Sequence, residues 1–377
     1  MKYRLGELIE SISKTYDLKN KESVTFVNTG DVFDGSISGN ETKIKDLPGQ
    51  AKKSIELNDI LFSEIRPKNK RFALVTGIDP KNYVVSTKLM VLRNKNNLVL
   101  DTNYLYFYLT SPLMLAYFQS EAESRSGTFP QITFRENVAN IKIDLPPLIE
   151  QRKIVQRLSV INDKVKLNNQ INDNLVELVD SYFINFLNNV TTVEKTIEDI
   201  GTVVGGGTPS KKIAAYWNGD IAWVTPKDLS QHPLIFTSSG ENYITGLGLA
   251  KGSAKLLPTN TILFSSRAPI GYISIAKNNL ATNQGFKSVI PNKEYSFQFI
   301  YELLKHETTA IKNEANGSTF KEISGKKLKQ HIINIPNSED TSKFNEITKP
   351  IFKQLRKLEE ENEKLLAIKK ELLEKYF

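Results

Sequence analysis

The sequence predicts an α+β protein in which two β-rich globular units alternate with two long helices. Three observations predict it: landmarks that recur in the same order in both halves, short apolar runs bounded by turn residues, and a 3.5-residue apolar spacing late in each half. The chain has 377 residues, 40% hydrophobic and 24% charged, which suits two or three folded domains rather than one core or a disordered chain.

The elements follow in order. Each half enters on the same apolar spacing, Leu5 to Leu8 and Ile197 to Ile200. Phe26-Val27 followed by Asp31-Val32 matches Trp223-Val224 followed by Asp228-Leu229, both at an offset of 197. Ile60 to Ser63 with Arg66 and Pro67 matches Ile262 to Ser265 with Arg267 and Pro269. An aromatic, helix-like stretch comes next, Tyr104 to Phe118 and Phe297 to Leu304, and then Thr-Phe-x-x-Ile at Thr128 to Ile132 and at Thr319 to Ile323. Each unit closes on an Ile or Leu before proline, Pro146 and Pro336. The shared order makes a duplicated unit of about 190 residues the better reading than coincidence. Runs such as Val24 to Val27, Ala73 to Thr76 and Ile221 to Thr225, bounded by Gly, Pro, Asn and Asp, read as strands.

After each closing proline the period changes from two to three and a half. The first helix places Ile154, Leu158, Ile161, Val165, Leu175 and Val179 on one seam, interrupted by Asn168 and Asn172. The second places Ile351, Leu355, Leu358, Leu365 and Leu372 there, with Asn362 and Lys369. Tyr182-Phe183 and Tyr376-Phe377 end the two helices at an offset of 194, which sets Asn168 on Asn362. Asparagine in an apolar seam fixes register at a cost in stability. On these residues alone, the helices either pair with each other or pack each on its own unit. The expected boundaries are 1–148 and 190–340 for the globular units, and 149–189 and 341–377 for the helices.

Composition excludes several chemistries. With no cysteine there is no disulfide, thiol nucleophile or Cys-ligated zinc, which suits a cytoplasmic protein. His232, His306 and His331 are too scattered to mark a metal site. The N-terminus lacks the pattern of a signal peptide, and Tyr104 to Phe118 falls short of the roughly 20 apolar residues that span a bilayer, so no membrane anchor is expected. There is no P-loop, nucleophile elbow, HExxH or EF-hand pattern. Gly205 to Pro209 lacks the Lys-Ser/Thr continuation of a phosphate cradle and reads as a tight loop. Asp144 to Pro147 lacks the flanking polar and aromatic residues of an amino-methyltransferase loop. Asp59, Glu64 and Arg66 resemble a nuclease set, but the second half offers Asn260, Ser266 and Arg267 in their place.

The net charge of +8 favours a polyanionic partner. Residues 1–148 hold 20 basic and 17 acidic side chains and residues 190–340 hold 16 and 13, so each globular unit carries +3. Polar, basic loops supply candidate contacts: Arg66, Lys68, Lys70 and Arg71; Arg125 and Ser126; Thr208, Ser210, Lys211 and Lys212 beside Tyr216-Trp217; Lys227; Arg267; and Asn283 with Gln284. Arg and Lys pair with guanine edges, Asn and Gln with adenine edges, and hydroxyls hold phosphates.

Gly206-Gly207-Thr208-Pro209-Ser210, then Tyr216 to Val224 and Lys227-Asp228-Leu229, resembles the opening of a target recognition domain in specificity subunits of type I restriction-modification systems. Leu145 to Val155, containing Glu150-Gln151-Arg152-Lys153, is similar to the start of that family's central helical region. The likeness covers essentially the whole chain. The first domain lacks the Gly-Gly-Thr-Pro run, and the second helix reads Ser342 to Glu346 where the Glu-Gln-Arg-Lys start would stand.

The resemblance implies two target recognition domains alternating with helices that pair as an antiparallel coiled coil, a pseudo-two-fold repeat. It implies a non-catalytic reader of double-stranded DNA, each domain taking one half of a split, asymmetric target. Such a subunit binds two methyltransferase subunits, which carry S-adenosylmethionine, and motor-nuclease subunits that use ATP and Mg; no cofactor is expected on this chain. Helices of about 30 to 40 residues, roughly 45 to 60 Å long, would set the unread spacer. A self-contained restriction or modification enzyme and a protein-binding coiled-coil scaffold are the alternatives.

Overall fold

The computed structural model describes residues 1–124, 130–317 and 321–377. The chain divides into two compact units, Met1–Val165 with Lys364–Phe377, and Lys166–Glu363. Among the described residues, no helix is long and apolar enough to cross a membrane.

In the first unit, strand Lys2–Arg4 pairs antiparallel with Lys142–Asp144, tying the two ends of the globular part together. A helical turn, Leu5–Leu8, follows and buries the two leucines that repeat in sequence. One sheet then has the order Ile9–Ile12, Leu89–Asn94, Ile60–Ser63, Phe72–Leu74, all antiparallel. A second has the order Asn40–Lys43, Ser23–Val27, Tyr83–Ser86, Ala51–Lys53, with its central pair parallel.

Both faces of the first sheet are covered, which explains why Ile60-Leu61-Phe62 is continuously apolar instead of alternating. Ile60, Phe62, Met90 and Leu92 pack with Leu105 and Phe118 of the helices, while Leu61, Leu89 and Val91 pack with Val27, Val75 and Val85. The aromatic stretch forms two helices, Thr102–Leu109 and Pro112–Glu123, rather than one. Ser111 caps the second through its hydroxyl, and Pro112 occupies its first turn, where no N–H is required.

The second unit repeats this plan. Thr192–Thr196 pairs with Ile332–Pro336, and the turn Ile197–Ile200 buries both isoleucines. One sheet runs Gly201–Gly205, Lys287–Pro291, Ile262–Ser266, Ile270–Ala276, Phe236–Thr237; the other runs Asn242–Ile244, Trp217–Val224, Leu280–Thr282, Leu256–Leu257, again with a parallel central pair. Helix Phe297–Glu314 covers the larger sheet, its Phe299, Ile300 and Leu303 packing with Ile262 and Phe264.

The long helices are Leu148–Asn188 and Ser338–Tyr376. In the second unit Asn168 meets Asn362, and Tyr182 stacks on Phe344 at 5.6 Å. In the first, Arg157 Nη1 donates to Tyr376 Oη at 2.7 Å, and Leu158 packs with Leu373 and Phe377. Within each unit, position rises along one helix as it falls along the other, so the pairing is antiparallel.

Leu158, Ile161, Asn168, Val179, Leu355, Leu358 and Asn362 are buried; Ile154, Val165, Leu175, Ile351, Leu365 and Leu372 are half-buried. The spacing missed Phe344, Phe352 and Leu373, all buried. Phe352 touches Phe236, Phe297 and Tyr301, so this helix buries a second face against its own unit. Both readings of the helices therefore hold. Asn168 Nδ2 donates to Asn362 Oδ1 and Glu361 Oε2, each at 2.9 Å, and Asn362 Nδ2 to Asn169 Oδ1 at 2.8 Å.

Gln151, at the start of the first helix, is fully buried. Its Oε1 accepts from Asp101 N at 2.9 Å, and its Nε2 donates to the carbonyls of Val99 and Pro146 at 2.9 and 3.0 Å. One side chain thus fixes the helix to the loop that opens Thr102–Leu109.

Candidate nucleic-acid interface

In the second unit, the loop after Gly201–Gly205 lies against the end of Leu280–Thr282. Gly207 N donates to Thr282 O at 2.8 Å. A Cβ on Gly206 would fall 2.0 Å from Asn283 O, and one on Gly207 2.3 Å from Ser253 O, so these glycines permit close backbone approach. Gly206 N also bonds Phe286 O, so both amides are spent inside the protein, as a tight loop requires. The neighbouring tryptophans secure the loop. Trp223 Nε1 donates to Gly207 O at 2.9 Å and Trp217 Nε1 to Ser210 O at 3.1 Å, with the rings edge-on at 5.1 Å.

This scaffold brings several candidates to one rim. Thr208 donates to Gln284, which is exposed; Asn283 Oδ1 accepts from Gly285 N at 2.9 Å and shapes the turn. Ser210, Lys211 and Lys212 are exposed beyond the tryptophan-held segment. Arg267 faces Glu322 at 3.7 Å. Lys227 pairs instead with Glu241 at 2.9 Å, both well exposed, and that carboxylate raises the lysine's pKa.

In the first unit the basic cluster forms the connection between Ile60–Ser63 and Phe72–Leu74. Arg66 has a φ of 48° and its N–H donates to Pro130 O at 3.1 Å, while Lys68 N donates to Gln119 Oε1 at 3.1 Å; both side chains are exposed. Lys70 and Arg71 have partners within the unit. Lys70 pairs with Asp34 at 3.2 Å, and Arg71 Nη1 donates to Gly30 O at 2.6 Å with its guanidinium over the Phe33 ring. Arg125 and Ser126 lie outside the described residues.

The first carboxylate of the nuclease-like set is already engaged. Asp59 is fully buried and engaged by Arg93, whose Nε and Nη2 donate to its two oxygens at 2.7 and 2.8 Å; that bond raises the arginine's pKa. Asp59 Oδ2 also accepts from Glu56 N at 2.7 Å, completing a structural staple.

The family model for the type I restriction modification DNA specificity domain matches residues 1–177 and 189–374. The chain belongs to this family. A curated relative, the HindI specificity subunit of Haemophilus influenzae, is 31% identical over 395 residues, covering 84% of this chain and 85% of its own length. The MjaIX specificity subunit of Methanocaldococcus jannaschii is 42% identical over 185 residues, 48% of this chain and 43% of that one. A type I system S subunit from M. genitalium has the same fold, with a TM-score of 0.60 at 17% identity, covering 100% of this chain and 96% of that one. The protein is accordingly a DNA specificity subunit, a non-catalytic component.

Within this specificity subunit the register of the repeat is set by the backbone, and it corrects the landmark match. Ile132 N donates to Glu64 O as Ile323 N donates to Ser266 O, and Ile65 bridges Gln131 as Arg267 bridges Glu322. Arg267 therefore corresponds to Ile65, not to Arg66. Likewise Asn58 corresponds to Asn260: their N–H groups bond Val75 and Ala276, and their φ values are 69° and 67°. Asp59 then corresponds to Thr261. Both corrected pairs keep the offset of 202 that aligns Ile60 with Ile262; matching by side-chain type, Arg to Arg and Asp to Asn, slips one residue from it.

Lys287 and Glu322 were also missed. Lys287 Nζ lies 3.3 Å from Gln284 O and 3.6 Å from Glu322, on the same rim. The only sequence signal was Lys287 three residues after Gln284, ahead of an apolar strand.

Proposed function

We propose that each unit of this specificity subunit reads one half of a split, asymmetric duplex target, and that the paired helices set the number of unread base pairs. The observation that carries this reading is that one strand order occurs twice, and that basic side chains stand in the connection after the matching strand of each copy, Arg66 and Lys68 after Ile60–Ser63 and Arg267 after Ile262–Ser266. Exposed Arg66 and Lys68 serve the first half; Thr208, Ser210, Lys211, Lys212, Arg267 and Gln284 serve the second. Base-edge contacts from these side chains specify, and phosphate contacts position.

The helices also dock two methyltransferase subunits that bring S-adenosylmethionine, and motor-nuclease subunits with ATP and Mg join through that complex, in the cytoplasm. The family supports DNA and partner subunits in general. Extrusion and methylation of an adenine then fall to the partner.

Deleting one heptad from each long helix removes about 10 Å of rise, or about three base pairs of B-DNA. Methylome sequencing of a host carrying the complete system should show a shortened spacer with both half-sites intact. An unchanged spacer refutes the ruler.

A further inference from the structure

Glu322 stands between two cations on the second unit's rim. Its carboxylate lies 3.7 Å from Arg267 Nη1 and 3.6 Å from Lys287 Nζ. The backbone beneath it is held twice, by the bridge to Arg267 and by reciprocal hydrogen bonds with Asn316 at 2.9 and 3.1 Å. Lys287 Nζ is also 3.5 Å from Ser266 Oγ, and Gln284, whose carbonyl it touches, accepts from Thr208. The three charged groups therefore join the glycine loop, the 283–286 turn and the end of Ile262–Ser266.

The first unit makes the same bridge without charge. Gln131 takes the place of Glu322 and Ile65 that of Arg267. Phe286 opposes Ser265 as Leu89 opposes Ser63, which makes Met90 the counterpart of Lys287. Two units of one fold thus hold Arg, Glu and Lys in one case and Ile, Gln and Met in the other. The fold does not require the charges, and a long, part-exposed pair such as Arg267–Glu322 contributes little to stability.

We propose that Glu322 is a specificity-determining residue for the half-site read by the second unit. Its carboxylate occupies Arg267 and Lys287 while no target is bound, and yields them only to a duplex whose acceptors compete successfully. Those acceptors are phosphate oxygens or the O6 and N7 edge of guanine, which share the chemistry that a guanidinium and an ammonium recognise. Off target, the rim presents one net positive charge here instead of two, which weakens sequence-independent binding. The inference rests on the half-site reading above.

The test uses the assembled complex with its methyltransferase subunits. Binding is measured against salt on a nonspecific duplex and on the duplex identified by methylome sequencing. Glu322→Gln keeps the shape and removes the charge. With one or two further phosphates neutralised, the nonspecific salt slope should steepen by about 0.9 to 1.8, equivalent at the upper end to a further 12-fold or so between 50 and 200 mM salt. Target preference should fall about tenfold, with relaxation in one half-site only. Glu322→Asp should retain wild-type behaviour, and unchanged thermal unfolding of both variants excludes a folding defect.

Arg267→Gln separates the sources. Loss of preference at a single G·C pair identifies a guanine edge, and a slope reduced by about one with all positions retained identifies a phosphate. An unchanged slope and preference in Glu322→Gln, relaxation of both halves, or loss of target binding, as expected were Glu322 itself a base contact, each overturns the proposal. A wild-type complex with no split target refutes the half-site reading instead, and the nonspecific slope still tests Glu322.

Discussion

Replacing Gln151 by alanine should loosen the junction between the first long helix and its unit. The side chain is fully buried and makes three hydrogen bonds, to Asp101 N, Val99 O and Pro146 O, at 2.9 to 3.0 Å. Each buried group left unsatisfied costs about 1–3 kcal/mol, the amide N–H toward the upper end because it has no second way to pair. Partial water entry trims the total to about 3 kcal/mol, a little over a hundredfold in a local opening equilibrium at 1.4 kcal/mol per decade. Hydrogen exchange on the full chain reads this directly. Peptides covering 98–109 and 146–158 should lose about a hundredfold in protection, while those covering 192–205 stay unchanged. Gln151→Met, which nearly restores the volume but none of the bonds, should lose almost as much. A loss under fivefold in both variants would show that the three bonds do not hold the junction.

Two further outcomes are expected. Burial raises the Glu359 carboxyl to about 7, against the lowering effect of backbone N–H bonds from Ile235 and Phe236. A folded-state value above the ordinary one means that its contribution is fully present below about 4.5 and is lost as pH rises through 7. Denaturation midpoints of the second unit should therefore fall between pH 5 and 8 more steeply in wild type than in Glu359→Gln. Gly207→Ala should displace the loop that carries Thr208 to Ser210, because its Cβ meets the Ser253 carbonyl at 2.3 Å. Overpacking of this kind costs about 1–3 kcal/mol, and methylome sequencing should show weakened recognition in one half-site with the other intact.

The coil was legible because its signals are local and repeated. Asn168 and Asn362 were placed together by an offset of 194, and they bond each other. The exact seam was less so: Phe352 and Leu373 are buried beside the expected Ile351 and Leu372, since a helix that serves both a partner and its own domain needs more than a two-position stripe. In the β-rich units, Ile60 to Ser63 and Ile262 to Ser265 aligned correctly, yet Arg66 was matched to Arg267 one residue out of register. A slip of one residue in extended chain turns a side chain to the opposite face, so small errors there change chemistry.

By itself the sequence determined the duplication, the alternation of strand-rich units with long helices, the asparagine register and the family resemblance. All of these rest on order and period along the chain. Only the tertiary structure decided that Gln151 clamps a junction, that Asp59 is a staple and that Glu322 lies between Arg267 and Lys287. Those contacts join residues from 34 to 55 positions apart through strand register and loop packing, and no local pattern encodes which side chains such packing brings within reach of one another.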